Sequence, residues 1–305
     1  MKGGFLTLLG RMLLKLRYRT QIEGLEAVLA KGRNGILLLP NHPAYLDPAI
    51  LLTTFFPYLR PHILADKDNM SKLLMRRIIG RIGVIPIPDP AIHGEGSLPE
   101  IAQVFQKCGE GLRQGENYLL YPAGHIYLSR FEYLGGNSAV ETILSKAPDT
   151  RVVLIRTTGF WGSSFSKAID RHPDWVKCML RGFRSLLANF LFFGPRREIH
   201  VKLVEPLDFP KSAGRMAMNR YMEAFYNQDA PPARYVPYTI WERGGVRDLP
   251  EPAIQKIEGN PDEVPDSIRE QLHGKLAELS GKTAFPDTAL LAKDLGLDSL
   301  ARMEL

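Results

Sequence analysis

The sequence contains little cysteine and no long apolar run. Cys108 and Cys178 are the two cysteines among 305 residues, and they form neither a CxxC pair nor a cluster with histidines. Neither a disulfide framework nor a structural zinc site is therefore indicated, and a reducing cytoplasm is the simple interpretation. No stretch reaches the roughly 18 apolar residues that a membrane-spanning helix needs. The apolar run at residues 5–9 is followed by basic residues and not by a small-residue cleavage site, so we expect no signal peptide.

Hydrophobic residues make up 45% of the chain, and the formal net charge is +6. This length and hydrophobic content are sufficient for one large domain and a smaller unit. The positive charge suits an anionic lipid surface, a nucleic acid or simply a soluble basic protein. Because the basic residues are dispersed and not interleaved with aromatics, nucleic acid is the weakest of these partners.

Two segments combine apolar side chains with basic residues. Residues 1–17 predict one helix, and residues 183–193, bracketed by arginines, predict another. Such a helix either lies in a membrane interface or packs on the protein's own core. Taken singly, residues 1–17 fit a helix in a membrane interface and a helix packed on the core equally well. Residues 183–193, taken singly, slightly favour a buried helix. Two such segments in one basic chain favour membrane contact. Their apolar residues are Phe5, Leu8, Leu9, Met12, Leu13, Leu16, Leu186, Leu187, Phe190, Leu191, Phe192 and Phe193.

Short apolar runs alternate with longer helical patterns through most of the chain. This alternation predicts an α/β domain whose sheet is covered by helices on its faces. In such domains, functional sites gather at the ends of strands. We predict strands at residues 36–39, 63–65, 84–85, 118–121, 152–155 and 199–203, and helices at 48–56, 70–79, 98–114 and 136–146.

The pattern changes near Asp229. Proline and glycine punctuate residues 229–262, as in a linker, and an amphipathic helix follows that ends at Gly281. We therefore predict a domain of residues 1–228, a linker of residues 229–262 and a partial helical unit of residues 263–305.

The clearest chemical feature follows the first predicted strand, where His42 precedes Asp47 by five residues. A carboxylate that holds an imidazole in one tautomer makes the imidazole a general base and stabilises the imidazolium it forms. An acceptor hydroxyl activated in this way attacks a thioester directly, so no nucleophilic serine or cysteine is needed. On spacing alone, chance and helix capping by His42 are the favoured explanation.

The neighbouring residues change this balance. Asn41-His42 after an apolar strand, with Asp47-Pro48 opening a helix, resembles the NHx4D motif of the glycerophosphate and lysophospholipid acyltransferase family. Three later segments resemble the family's second, third and fourth blocks in the expected order, and another resembles its lysophospholipid-reacylating branch. The resemblance covers residues 1–228. The later segments are residues 79–87, 120–125, 152–155 and 159–166.

This resemblance implies a glycerolipid acyltransferase-like sheet, a membrane-associating helix at the N-terminus, and catalysis by His42 with Asp47 as its orienter. It implies an acyl donor that is an acyl carrier protein (ACP) or coenzyme A (CoA) thioester. The residues that it places in the substrate pocket are Tyr45, Ile85, Pro86, Tyr121, Pro122, Gly124 and His125. The Gly124 amide is also a candidate oxyanion donor.

The third block departs from the family pattern, usually written FPEGTR. Ala123 and Ile126 stand where a glutamate and an arginine are usual, or His125 stands in the arginine place if the alignment shifts by one. Pro86 and its neighbours occupy the place of a second arginine, at the end of the second block. Since bidentate arginine suits a phosphate best, glycerol 3-phosphate and lysophosphatidic acid are disfavoured as acceptors. We expect a lysophospholipid, an acylated amino acid or another hydroxyl- or amine-bearing lipid.

Residues 292–300 resemble the phosphopantetheine attachment site of acyl carrier proteins. On its own, Asp298-Ser299 is better explained as a helix N-cap, but the upstream helix and the LGLDSL context favour the attachment site. The resemblance implies phosphopantetheine on Ser299 if the native carrier is complete. Residues 263–305 amount to about 43 residues of such a unit, so we expect it to be poorly ordered. In related architectures an acyl-activating ligase accompanies these modules.

The sequence as a whole predicts an acyltransferase of phospholipid biosynthesis, peripheral on the cytoplasmic face of a bacterial cell membrane. Membrane lipid, a carrier or CoA thioester and an activating ligase are the expected partners, and no metal is expected. A noncatalytic lipid-binding scaffold is the alternative from another class, although retention of both His42 and Asp47 argues against it. A thioester hydrolase would use the same base and remains open.

Overall fold

The computed structural model describes residues 2–67, 83–252, 264–291 and 294–297. The helix predicted at residues 70–79 and the predicted attachment residue Ser299 lie outside these ranges. The strands are β1 (Tyr18–Glu23), β2 (Ile36–Pro40), β3 (His62–Asp66), β4 (Val84–Ile87), β5 (Tyr118–Leu119), β6 (Arg151–Thr158), β7 (Arg197–Val204), β8 (Arg234–Tyr235) and β9 (Arg247–Asp248).

The helices cover both faces of the sheet that these strands form. They are α1 (Lys2–Arg17), α2 (Leu25–Ala30), α3 (Asp47–Leu59), α4 (Pro90–His93), α5 (Leu98–Arg113), α6 (Ala139–Lys146), α7 (Trp175–Ala188), α8 (Arg215–Asn227) and α9 (Asp266–Ser280).

Seven strands form one sheet in the order β1-β7-β6-β2-β5-β3-β4, while β8 and β9 pair separately. All neighbours in the seven-stranded sheet are parallel except β6 and β7, which run antiparallel. The strand β2 lies between β6 and β5 and is parallel to both. The carboxyl ends of these three strands therefore meet at one edge, where α/β proteins usually hold their sites.

The strand β2 is buried along its whole length because helices cover both of its faces. Its side chains alternate: Ile36 and Leu38 pack with α2, α3 and α7, whereas Leu37 and Leu39 pack with α5, α6 and α8. The molecule is thus a mixed α/β protein with a mostly parallel central sheet. This confirms the coarse fold prediction.

Most predicted elements are present, with ends displaced by at most three residues. No sequence prediction covered the elements β1, β8, β9, α2, α4 and α8. The strand β1 is a polar edge strand, Tyr-Arg-Thr-Gln-Ile-Glu, of which only Tyr18 is buried. Its position comes from hydrogen bonding to β7, from Tyr18 opposite Arg197 to Glu23 opposite Lys202. Backbone hydrogen bonding requires no alternation of apolar and polar residues, so the sequence of β1 shows no strand pattern.

The helix predicted at residues 183–193 has wrong bounds, because α7 spans Trp175–Ala188. The Asp174 side chain caps it by accepting hydrogen bonds from the amides of Val176 and Lys177. Beyond it, Phe190 and Leu191 have φ of 49° and 67°, which cannot continue a right-handed helix. The slight preference for burial was also wrong, since Phe183, Leu187 and residues 190–193 are exposed.

The helix α1 lies on α3 with one face and exposes another. Thr7 is buried and Leu14 packs on the core, whereas Phe5, Leu8 and Met12 are exposed. In the part of the chain that the structure describes, no helix is long and apolar enough to cross a membrane.

Residues 229–252, the described part of the predicted linker, lie against the sheet domain. Ala233 and Val236 are buried, and the Arg197 guanidinium donates to the carbonyl of Arg234. The Arg17 guanidinium donates to the carbonyl of Val236. The three-part division of the chain stays a prediction.

The described part of the C-terminal unit has a small core of its own. Leu276 of α9 packs with Leu295 and Leu297, while Ile268 and Leu272 on the same helix remain exposed. The helix ends at Gly281, as predicted, and Gly281 adopts a left-handed conformation.

Candidate active site

The candidate site lies where β2, β5 and β6 end side by side. His42 follows β2 by two residues, Tyr121 follows β5 by two residues, and Thr157 lies near the end of β6. Because the three strands are parallel neighbours, residues far apart in sequence meet at this edge.

Asn41 fixes the chain at the end of β2. Its amide nitrogen donates to the Tyr127 hydroxyl at 2.5 Å and to the Thr157 carbonyl at 3.0 Å, and its oxygen accepts from the Thr157 amide at 2.6 Å. The side chain is 1% exposed. A primary amide satisfies both neighbours because it donates and accepts at once. Asn41 therefore sets the position from which His42 projects.

His42 and Asp47 form a close pair. The His42 Nδ1 atom lies 3.0 Å from Asp47 Oδ1 and 3.2 Å from Asp47 Oδ2. Asp47 is the first residue of α3, where the helix dipole favours a carboxylate. The pairing assigns the proton of neutral imidazole to Nδ1 and leaves Nε2 as the nitrogen able to accept another proton.

Burial opposes the charge on Asp47. The side chain is fully buried, and this raises its pKa from 3.8 to about 6, although His42 and the Tyr121 hydroxyl oppose the shift. A carboxylate with so little water around it interacts strongly with the one imidazole beside it.

Tyr121 contacts both members of the pair. Its ring stacks on the His42 imidazole, with 4.1 Å between ring centroids and 28° between planes, and its hydroxyl lies 3.4 Å from Asp47 Oδ1. Burial first, and Asp47 second, raise the pKa of Tyr121 well above its usual range, so the phenol remains a donor. The residue predicted to line the acceptor pocket therefore also contacts the His42–Asp47 pair.

Glu132 is a site residue that the sequence did not reveal. The His42 amide donates to Glu132 Oε2 at 2.7 Å, across 90 residues of sequence. Glu132 is 2% exposed, and burial raises its pKa well above the usual range. Its own amide donates to Asn227 Oδ1, and Asn227 Nδ2 donates back to the Glu132 carbonyl. Glu132 thus ties the His42 main chain to α8.

The turn after Tyr121 encloses His42 from another side. The Tyr127 amide donates to the His42 carbonyl at 2.9 Å. Gly124 has φ of 70°, which suits glycine, and its amide donates to the Tyr121 carbonyl at 3.1 Å. The candidate oxyanion donor is therefore already engaged in a turn hydrogen bond.

The remaining predicted pocket residues contact other neighbours. The Tyr45 amide donates to the Phe165 carbonyl, and Pro122 is buried. Ile85 and Pro86 lie in the edge strand β4 opposite Leu64 and Ala65. The exposed His125 has Nδ1 3.1 Å from the Ile126 carbonyl.

The third block carries apolar side chains where the family pattern has charges. Ala123 and Ile126 are 6% and 3% exposed, so both belong to the core. The Arg130 guanidinium lies over the Phe131 ring at 4.7 Å from the ring centroid. Across the described ranges, no three histidine, cysteine, aspartate or glutamate side chains gather as metal ligands would.

A family model and a solved structure are similar to parts of this chain. Residues 19–156 match the family model described as Acyltransferase, a range that contains His42, Asp47 and Tyr121. No curated protein matches the chain. Among solved structures, the 1-acyl-sn-glycerophosphate (LPA) acyltransferase PlsC from Thermotoga maritima is similar, with a TM-score of 0.49 and 14% identity, over 73% of this chain and 76% of that chain. Within residues 19–156, the chain is thus similar to the acyltransferase family that this model describes.

Proposed function

We propose that this protein transfers a fatty acyl group from a thioester to a lipid-like acceptor at a membrane surface, with His42 as general base. The observation that carries the proposal is the pair at the end of β2, in which the buried Asp47 holds Nδ1 of His42 and Tyr121 stacks on the ring. This arrangement directs Nε2 to the acceptor.

The chemistry follows from the pair. Nε2 takes the proton of the acceptor hydroxyl while the oxygen attacks the thioester carbonyl, and Asp47 stabilises the imidazolium that results. The tetrahedral intermediate then expels the thiolate, and the imidazolium returns the proton to sulfur. The acceptor carries the new ester, and His42 is neutral again. An amine acceptor would follow the same route to an amide.

The acceptor is a lysophospholipid, an acylated amino acid or a related lipid with a free hydroxyl or amine. The apolar, buried Ala123 and Ile126 support this choice, since neither can pair with the phosphate monoester of glycerol 3-phosphate or lysophosphatidic acid. Recognition would then depend on the acceptor's apolar chain more than on a charged headgroup.

The donor is an ACP or CoA thioester, and the chain's own C-terminal unit is a candidate carrier. A contact between the two units supports it: a Cβ atom on Gly136 would lie 2.0 Å from the Gly296 carbonyl oxygen, and Met216 Sδ would lie 3.3 Å from a Cβ on Gly296. Gly136 lies four residues beyond Glu132 in the sequence, so the two residues are at most about 14 Å apart. Phosphopantetheine on Ser299 would hold the acyl thioester, loaded by an activating ligase.

The protein acts as a peripheral enzyme on the cytoplasmic face of a membrane. The exposed apolar face of α1, with Phe5, Leu8 and Met12, supports this placement. Membrane contact would keep the enzyme near acceptors that are themselves lipids.

Acyl transfer from radiolabelled acyl-ACP and acyl-CoA to a panel of lysolipids and lipoamino acids tests the proposal. Wild type is compared with His42→Ala and with His200→Ala, which removes an exposed imidazole on β7 as a matched control. We expect product from wild type and the control, and none from His42→Ala. Thioester consumed through His42 without acylated product would indicate a hydrolase. A folded protein that does neither would favour the noncatalytic scaffold.

A further inference from the structure

A loop within the predicted linker carries three exposed apolar side chains. Residues 237–247, here named the tryptophan loop, include Ile240, Trp241 and Val246. Trp241 is 70% exposed, whereas Trp161 is 3% exposed. Tryptophan has a large apolar ring with one polar N–H, so its exposure on the surface indicates an interaction site.

Buried polar groups fasten this loop to the end of α7. Asn189 Oδ1 accepts from the Ile240 amide at 2.9 Å, and Asn189 Nδ2 donates to the Tyr238 carbonyl at 2.8 Å. The Ser185 hydroxyl donates to the same carbonyl. Asn189 is 1% exposed, so the contact is part of the fold. Ile240 is thereby held beside residues 190–193, all four of which are exposed and apolar.

The same loop also contacts the end of α1. The Arg17 guanidinium donates to the Pro237 carbonyl at 2.8 Å and lies over the Tyr238 ring at 4.6 Å from its centroid. Arg17 follows Leu13 and Leu9 at i+4 spacing, so it ends a row of exposed apolar residues on one face of α1. Three exposed apolar elements therefore meet around the tryptophan loop.

This surface is positively charged, whereas the rest of the chain is net negative. Formal charge is +4 in α1, +4 in residues 175–196 and +1 in residues 237–247, against +6 for the whole chain. The first two segments contain no acidic residue, and the remainder of the chain is therefore net negative. Aromatic and aliphatic side chains surrounded by cations suit an anionic bilayer, in which the cations meet headgroups while the apolar groups enter the interface.

We infer that the tryptophan loop is a third membrane-contacting element, in which Trp241 enters the headgroup region of an anionic bilayer beside α1 and the end of α7. Tryptophan is enriched at this depth because its ring is apolar and its N–H is polar. The inference deepens the proposed function and rests on the membrane association stated there.

Tryptophan fluorescence of the full chain tests this contact. Because Trp161 is buried and Trp175 is partly buried against the core, a change on lipid binding reports mainly Trp241. We expect a blue shift with phosphatidylglycerol-containing vesicles, and quenching when the lipids carry bromine on their acyl chains. Both effects disappear in Trp241→Phe if Trp241 is their source.

Vesicle co-sedimentation supplies the second readout. Trp241→Ser should weaken binding to anionic vesicles about tenfold, the order expected for one large apolar side chain. Leu207→Ser is the matched control, because Leu207 is 95% exposed but follows the carboxyl end of β7, opposite the end at Arg197. Acyl transfer to a soluble short-chain acceptor should be equal in both variants.

The outcomes separate the inference from the proposed function. If wild type binds vesicles but its fluorescence is unchanged and Trp241→Ser binds equally well, the loop makes no lipid contact and the inference is wrong. If wild type binds no vesicle at all, the membrane placement itself fails, and the inference fails with it. Loss of binding by Leu207→Ser as large as by Trp241→Ser would show nonspecific adsorption and also overturn the inference.

Discussion

At the scale of single residues, the proposed mechanism requires an ionised Asp47 in a site that disfavours its charge. Burial raises its pKa to about 6, while His42 and Tyr121 favour the ionised form. The acid limb of activity should therefore follow the protonation of a carboxyl group with an unusually high pKa.

Tyr121→Phe should move that limb to higher pH. The variant removes the hydroxyl that donates to Asp47, so the ionised carboxylate loses a stabilising contact and its pKa rises further. Profiles of kcat/KM against pH measure the shift. Tyr58→Phe is the control, because Tyr58 is exposed near the far end of α3 from Asp47; an equal shift in both variants would contradict this role of Tyr121.

Asp47→Asn should abolish most acyl transfer and alter the pH dependence of stability. The pKa of Asp47 is raised from 3.8 to about 6, so its contribution to the free energy of unfolding is fully present below pH 3.8. This contribution is lost as pH rises through about 6. Wild type should therefore lose up to about 3 kcal/mol of unfolding free energy relative to the variant between pH 4 and pH 7. Urea unfolding at both pH values measures it, and a difference independent of pH would refute the buried-charge explanation.

Glu132→Ala should reduce kcat at least about tenfold and lower stability by about 1–3 kcal/mol, because the buried His42 amide would lose its acceptor. Glu132→Gln keeps an acceptor oxygen at this place and should retain more activity than the alanine variant. Steady-state kinetics and thermal unfolding of both variants measure the effect. Equal losses in the two variants would mean that the carboxyl group has a further role.

At the scale of elements, the sequence pattern predicted those helices and strands that local interactions determine. The strand β2 and the helix α3 have continuous apolar runs, and the motif between them led to His42 and Asp47. The edge strand β1 escaped prediction because its pairing with β7, and not its own polarity pattern, makes it a strand. Glu132 escaped because its role depends on a tertiary contact across 90 residues.

The start of α7 was missed although its capping residue is visible in the sequence. Asp174→Ala should destabilise the protein by about 1 kcal/mol, since two amides at the helix start lose their acceptor. Chemical denaturation measures this change. Asp149→Ala, at an exposed turn, is the control and should lie within about 0.5 kcal/mol of wild type.

At the scale of the whole molecule, positive charge is concentrated in the segments that carry the exposed apolar groups. Binding to anionic vesicles should therefore weaken as salt rises, because the Debye length falls from about 10 Å at 0.1 M to about 3 Å at 1 M. Co-sedimentation across this salt range measures it, with phosphatidylcholine vesicles as the uncharged comparison. Binding that is independent of salt would assign the attraction to apolar contact alone.

The packing of α1 on α3 sets a short distance between the proposed lipid-facing helix and the proposed base, His42. Gly10 of α1 faces Thr53 of α3, and Asp47 lies six residues earlier on α3, about 9 Å along its axis. An acceptor with a long tail then need not be extracted from the bilayer to react. We expect the enzyme to select acceptors by how far their hydroxyl lies above the acyl chains of the bilayer. Depth in the membrane would then be a determinant of specificity.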